Sequence, residues 1–280
     1  VSGWDDPRML TLSGLRRRGY PASAVRLFCE RIGISKSENN IDMSVLEDCA
    51  REVLDKTSPR LMGVLKPLKV VITNYPEDHT EEFQPARHPK NSEMGNRKVP
   101  FSREIYIDHD DFREDPPPNY FRLAPGKEVR LRYAYVIRCD EVIYNETGGV
   151  SELRCTYDPA TRSGAKAEGR KVKGIIHWVS AKYSIQAEIR LYDRLFSKPI
   201  PGSDDPKGNF LNDINQNSIE VLSDCRIEPG IMTAENQEVF QFERVGYFYP
   251  DPVDSVAEAM VFNRTVTLRD TWARLEQEQN

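Results

Sequence analysis

The spacing of apolar residues changes at Pro59, and this change constrains the fold of the 280-residue chain more than any other feature. Before Pro59, apolar residues recur every three to four positions, which is the period of an amphipathic helix. After it, short runs rich in Val, Ile, Tyr and Phe are separated by Pro, Gly, Asn and Asp, as in β-strands. The sequence therefore predicts a helical part over residues 1–58 and a β-rich part from residue 59.

Three short helices are predicted in the first part. The segment "TLSGLRRRGY" forms a helix that ends at Gly19, and "PASAVRLFCERIG" starts at Pro21 and ends at Gly33. The segment "SVLEDCAREVLDK" opens with Ser44 and Glu47, the pair that forms a capping box. Their apolar faces predict a small bundle.

The β-rich part contains no helical pattern between its predicted strands, one of which is "VRLRYAYVI". A parallel sheet needs crossover connections, so it is disfavoured. Antiparallel barrels or a sandwich remain. The predicted fold class is α+β, mostly β.

Composition limits the function classes. Hydrophobic residues make up 39% and charged residues 30%, a globular balance, and no apolar run is long enough to cross a membrane. The net charge of −5 argues against a surface covered by nucleic acid but allows a local basic surface. The chain opens "VSGWDDPRML", without an initial Met or a signal pattern, so we expect a segment of a larger protein.

The sequence predicts neither a metal site nor a catalytic residue. The five cysteines form no CxxC pair and the four histidines lack metal-ligand spacing, which favours a reducing, cytoplasmic compartment. No Gly-rich phosphate loop, HExxH or GxSxG occurs. Asp5 and Asp6 are adjacent but have no metal partners nearby, and His177 is more typical of a packed strand residue than of a general base.

The segment "EVRLRYAYV" places Arg130 and Arg132 on one face of a predicted strand, together with Ala134. The two arginines are either solvated or form a rigid pair of planar donors for phosphates or base edges. Asn119 and Arg122, beside Tyr120, add the aromatic and basic character that unstacked bases require.

Other basic or polar positions allow the same two interpretations. The stretch 162–174 holds five basic residues against one acid and is either a solvated loop or a phosphate contact. Arg60 lies directly after the helix-to-strand switch. Gln241 alternates with Phe240 and Phe242, so it is either a surface residue or an amide that reads a base edge.

Long stretches of the chain are similar to the glutaminyl-tRNA synthetases of class I, in the part that follows the catalytic domain. They occur in the family's order and include "GWDDPRM", "VPFSREIYID", "GKEVRLRYAYVI", "GRKVKGIIHWVS", "FQFERVGYF" and "VFNRTVTLRDTWA". The resemblance implies a helical subdomain over 1–58 and two antiparallel β-barrels over 59–275 that hold the anticodon loop. The distal barrel would span roughly 101–184, and the proximal barrel 59–100 plus 185–275.

The resemblance also implies partners and cofactors. The partner would be tRNA(Gln), and the full-length enzyme, a monomer in the cytoplasm, would charge it with glutamine using ATP and Mg²⁺. The chain would begin just beyond the KMSKS-type loop, so the Rossmann domain, the HIGH-type motif and the glutamine pocket would lie outside it. No cofactor is expected in this chain.

Roles for individual residues follow from the resemblance. The central uracil would be held by Arg60 and Gln241, with Arg244 nearby. The third base, guanine, would be held by Arg122 with Asn119, and the first base by Arg130 and Arg132. Contacts along the inner side of the tRNA would come from Ser35, Ser37 and Asp42.

Two of the positions that depart from the family pattern lie close to Arg122 in the sequence, and two alternatives remain. Phe121 stands where bacterial members often carry Lys, so stacking would replace a charged contact, and Asn119 stands where they often carry Gln. One alternative is a glutamyl-tRNA synthetase of the archaeal or eukaryotic type, which shares the barrel architecture. The other is a non-enzymatic β-barrel interaction module with solvated arginines.

Overall fold

The structure is a computed structural model that describes residues 1–36, 39–164, 172–233 and 238–269. Within these ranges the chain forms three α-helices and sixteen β-strands, so the predicted α+β, mostly β class is confirmed. The helices are α1 (Leu12–Arg18), α2 (Ala22–Ile32) and α3 (Met43–Thr57). The strands are β1 (Arg60–Leu61), β2 (Gly63–Val64), β3 (Pro67–Ile72), β4 (Glu81–Phe83), β5 (Val99–Phe101), β6 (Glu104–Asp108), β7 (Glu128–Leu131), β8 (Val136–Tyr144), β9 (Val150–Asp158), β10 (Ile175–Ile176), β11 (Trp178–Ser180), β12 (Ile185–Tyr192), β13 (Ile219–Ile227), β14 (Phe240–Phe242), β15 (Gly246–Pro250) and β16 (Met260–Thr267).

The helix ends follow from local chemistry, with one exception. Helix α1 ends at Gly19 in the left-handed conformation (φ 94°), and α2 ends at Gly33, as predicted. The capping box predicted for α3 is wrong, because the helix begins one residue before Ser44. Asp42 is extended and its carboxylate accepts the Ser44 N–H at 2.7 Å, so Asp42 is the N-cap. Glu47 instead accepts hydrogen bonds from two arginines, Arg51 and Arg194.

The chain divides into two compact units. The first contains residues 1–59 and 188–223 and the described part of 235–280. The strands that run through it follow the order β14–β15–β16–β12–β13. The helices bury their apolar faces in one core with this sheet, formed by Leu15, Tyr20, Ala24, Leu46, Ala50, Leu54, Tyr247 and Val266.

The second unit contains residues 60–187 and 224–233 of the described chain. Its seven-stranded sheet has the order β10–β7–β8–β9–β3–β6–β11. Most neighbours are antiparallel, but β3 pairs in parallel with β9, and β10 pairs in parallel with β7. Long connections make these parallel pairs possible, since β3 and β9 are separated by five intervening strands.

An aromatic cluster fills the core of the second unit. The Phe101 ring lies 5.0 Å from Tyr75 and 5.1 Å from Trp178, in edge-to-face geometry, and 5.5 Å from Tyr135. The sheets of the protein are barrel-like and nearly closed. The boundaries predicted for the domains stay a prediction. None of the helices in the described ranges is long and apolar enough to cross a membrane.

Candidate nucleic-acid interface

The segment "EVRLRYAYV" is a hairpin rather than the single strand that was predicted. Strand β7 ends at Leu131, residues Arg132–Ala134 form a turn, and β8 returns antiparallel from Val136. Tyr133 adopts a left-handed backbone (φ 65°), and Ala134 is completely buried, so alternation stops at Leu131. Arg130 and Arg132 therefore do not share one face of a continuous strand.

The backbone nevertheless holds both arginines firmly. The N–H of Arg130 donates to the Gly174 carbonyl at 3.0 Å, and the N–H of Arg132 donates to the Ile176 carbonyl at 2.9 Å. The Arg130 guanidinium, which is half-buried, donates from Nη1 to the Thr161 carbonyl at 2.9 Å. One of its five N–H groups is satisfied by this bond, and the group is fixed in position.

Two guanidinium groups lie close to the Tyr133 ring. The Arg132 guanidinium carbon is 5.0 Å from the Tyr133 ring centre, and that of Arg97 is 5.3 Å away, both within cation–π range. Arg97 in turn donates to Glu228 at 2.7 Å. Sequence reasoning missed Arg97 and placed Arg132 on a continuous strand, because neither the turn nor this packing can be recognised from neighbouring residues in the sequence.

The loop before β7 presents Asn119 and Arg122 at the surface. Asn119 is exposed and left-handed (φ 67°), a conformation that Asn tolerates well. Arg122 donates to the Asp110 carbonyl at 2.9 Å and lies 3.3 Å from the Asp111 carboxylate. These contacts hold the guanidinium in place, while 45% of the Arg122 side chain stays exposed to solvent.

Two cations accompany the aromatic residues of this loop. Lys173 Nζ is 5.1 Å from the centre of the Phe121 ring, and the Arg113 guanidinium is 5.7 Å from the Tyr120 ring. Sequence reasoning did not single out Arg113. It counted Lys173 only as one charge in a basic stretch, most of which lies outside the described residues.

A buried histidine supports the same region from inside the unit. His177 is 3% exposed, as expected for a packed residue, and its ring nitrogens lie 3.7 Å from Asp108 and 3.8 Å from Asp111. Burial alone would raise the pKa of Asp108. The nearby His177 ring and the backbone N–H of Leu65, which donates to the Asp108 carboxylate at 3.2 Å, outweigh burial and lower that pKa. Asp111 is the carboxylate beside Arg122, so the histidine packs beneath the exposed arginine.

The residues predicted for the central base are divided between the two units. In the second unit, Arg60 is only 7% exposed and starts β1, where its N–H donates to the Arg87 carbonyl. In the first unit, Gln241 is 9% exposed in the middle of β14, opposite Tyr247 of β15. Arg244 occupies the β14–β15 turn in a left-handed conformation (φ 71°).

The predicted contacts on the inner side of the tRNA belong to the helical part. Ser35 is exposed after α2, and Asp42 caps α3 and lies 3.7 Å from Arg194. Ser37 lies outside the described residues. Asp42 therefore already has a structural function, because its carboxylate satisfies the first turn of α3.

Among the described residues, no group of three or more His, Cys, Asp and Glu side chains converges in a way that could hold a metal ion. The chemistry available at this surface is hydrogen bonding by guanidinium and amide groups, stacking by Phe121 and Tyr120, and attraction of negative charge. These are the interactions that single-stranded RNA requires.

Three family models match the chain. The anti-codon binding domain of the class I tRNA synthetases (E and Q) matches residues 58–158, and a second model with the same description matches 175–251. The catalytic-domain model of the same synthetases matches residues 1–56. The chain belongs to the class I tRNA synthetases of the E and Q type. The matches to the anti-codon binding domain contain Arg60, Arg122, Arg130 and Gln241.

The curated relatives of the chain are glutamine–tRNA ligases. The chain is 57% identical to a glutamine–tRNA ligase of Pseudomonas putida over 97% of the chain and 48% of that protein. It is 56% identical to that of Stutzerimonas stutzeri, over 98% and 49%, and 53% identical to that of Bradyrhizobium diazoefficiens, over 98% and 48%. The chain spans about half the length of the curated relatives it matches. The glutamyl-type alternative and the interaction module are not favoured by these relatives.

Proposed function

We propose that this chain is the anticodon-binding part of a glutamine–tRNA ligase and binds the anticodon loop of tRNA(Gln). The observation that carries the proposal is the match of an anti-codon binding model to the part of the chain that presents Phe121 and Arg122 at the surface. The similarity to curated glutamine–tRNA ligases supports the choice of glutamine.

The roles of the individual residues are part of the proposal. Arg122 and Asn119 hold the third base, guanine, since a fixed and exposed guanidinium matches its O6 and N7 acceptors. Arg130 and Arg132 hold the first base. The central uracil contacts Arg60, Gln241 and Arg244, and the inner side of the tRNA contacts Ser35, Ser37 and Asp42.

Anticodon specificity would follow from buried polar groups. A base that leaves its stack loses a few kcal/mol, and stacking with hydrogen bonds returns about 1–3 kcal/mol per base. A wrong base leaves the polar groups of the pocket unpaired and is rejected. In the full-length enzyme, a cytoplasmic monomer, the bound tRNA is charged with glutamine by chemistry that uses ATP and Mg²⁺.

A filter-binding experiment with the 280-residue chain tests this function. Anticodon stem-loops with the glutamine anticodon and with a changed central base are compared at several salt concentrations. We expect weak, salt-sensitive binding that falls when the anticodon is changed. Equal binding of both stem-loops would overturn the proposal.

Two arginine variants and one control variant test the roles of individual residues. Arg122→Ala should weaken binding by about 1–3 kcal/mol and relax selectivity at the third base. Arg154→Ala is the matched control, because Arg154 is an equally exposed arginine of the same unit that pairs with Glu141. Arg60→Ala in the full-length enzyme should lower charging at the tRNA step and leave glutamine activation intact.

A further inference from the structure

Phe121 is a large apolar side chain that the fold leaves exposed beside positive charge. Its surface is 49% exposed, and Lys173 Nζ lies 5.1 Å from the ring centre. The side chain of the neighbouring Arg122 is 45% exposed. The guanidinium of Arg113 lies 5.7 Å from the ring of Tyr120, the residue before Phe121. An exposed apolar ring with a cation beside it is poorly suited to an apolar protein partner and well suited to a flat, anionic polymer.

The backbone that carries the Phe121 ring is held rigidly. A Cβ placed on Gly174 would lie 2.0 Å from the Phe121 carbonyl oxygen, so only glycine allows the two backbones to approach this closely. The next residue, Arg122, is fixed by its bond to the Asp110 carbonyl. A ring anchored at both ends of its backbone loses little conformational entropy when a ligand stacks on it.

We propose that Phe121 is a stacking platform for one unpaired nucleobase of the anticodon loop. Lys173 beside the ring attracts the phosphate that flanks this base. The inference rests on the proposed function and adds a specific residue and mode of contact to it. Because every base has a π-face, this platform contributes affinity rather than base selectivity.

The test uses the 280-residue chain and anticodon stem-loops in which 2-aminopurine replaces each loop base in turn. Wild type, Phe121→Leu and Phe121→Trp are compared on the same RNA by titration and by 2-aminopurine emission. Leu keeps bulk without a π-face and should weaken binding about 5- to 100-fold, whereas Trp should retain or improve it. At one loop position the bound RNA should emit more strongly with Leu than with wild type.

A matched control and the salt dependence separate stacking from other effects. Tyr144→Leu removes a comparably exposed aromatic side chain of the same unit and should leave binding unchanged. Phe121→Leu should leave the slope of binding against salt unchanged, because no phosphate contact is lost.

The failure of this inference differs from the failure of the proposed function. If wild type discriminates anticodons but Phe121→Leu binds and emits as wild type does, the platform is wrong and the function stands. If Lys173→Ala weakens binding while Phe121→Leu does not, the contact is electrostatic and the platform is also wrong. If wild type shows no anticodon preference, both proposals fall.

Discussion

Arg97 and Glu228 form a buried ion pair, with Nε of Arg97 donating to Oε1 of Glu228 at 2.7 Å and only 2% and 1% of the side chains exposed. Glu228 Oε2 also accepts the Met62 N–H at 2.8 Å, and Arg97 Nη1 donates to the Ala86 carbonyl at 2.7 Å. Buried charges are tolerated only when they are paired and hydrogen-bonded in this way. The pair connects Met62, just before β2, and the segment after β13 to the loop that carries Arg97.

Glu228→Gln should therefore destabilise the second unit strongly. The change leaves the Arg97 charge uncompensated in the interior, which costs about 3–5 kcal/mol of unfolding free energy. Urea unfolding followed by near-UV circular dichroism measures it. The control Glu82→Gln breaks an exposed pair with Lys98 at 3.5 Å and should cost less than about 1 kcal/mol. Equal losses in the two variants would contradict the assignment.

Tyr133 should act as a positioning residue for Arg132. Tyr133→Phe keeps the aromatic ring beside Arg97 and Arg132, and we expect normal binding of the anticodon stem-loop. Tyr133→Leu removes both cation–π contacts and should weaken binding about 2- to 30-fold. The loss should depend on the first anticodon base. A loss of the same size for every first base would indicate a merely structural role.

Low pH should lower the stability of the first unit because Asp251 becomes protonated. Burial would raise the pKa of this carboxyl, but bonds from Asn263, from the backbone N–H groups of Val253 and Asp254, and from Arg17 lower it below its ordinary value. A lowered pKa in the folded state contributes stability above the unfolded value of about 3.9, and this stability is lost as the pH falls through the folded value.

The measurement is the unfolding free energy of wild type and Asp251→Asn between pH 7 and pH 2. The difference between the two proteins should stay constant above about pH 5 and shrink below about pH 4. Curves that run parallel over the whole range would show that Asp251 is not responsible.

Gly19→Ala should destabilise the first unit more than Gly126→Ala destabilises the second. Both glycines have positive φ, 94° and 69°, so alanine costs about 1–2 kcal/mol of backbone strain at either position. At Gly19 the new Cβ would also lie 2.4 Å from the Tyr249 Cβ, whereas at Gly126 nothing lies within 4 Å. We expect about 2–5 kcal/mol for Gly19→Ala. Thermal unfolding of both variants compares them, and similar melting temperatures would refute the close packing.

The helical part was predictable because its signals are local. The left-handed stop at Gly19 and the apolar spacing of the helices depend on neighbouring residues. The N-cap of α3 was misplaced by two residues, since Asp42 and Ser44 are both good caps and only the backbone decides between them.

The candidate site was predictable only in part. Arg122 and Arg130 were identified by residue type and alternation. The turn at Tyr133 was not identified, because "EVRLRYAYV" contains no Gly or Asn, the residues that normally indicate a left-handed turn position. The proximity of Phe121 and Lys173 could not be predicted from the sequence, because it depends on the contact between Phe121 and Gly174, which are far apart along the chain.

The discontinuous make-up of the first unit sets an order of assembly. Its three segments are separated by residues 60–187 and 224–234, which belong to the second unit. During synthesis, α1–α3 leave the ribosome long before β14, β15 and β16, the strands that share their core. About two hundred residues separate these helices from the strands that cover their apolar faces, so the nascent chain exposes these faces until β14–β16 emerge.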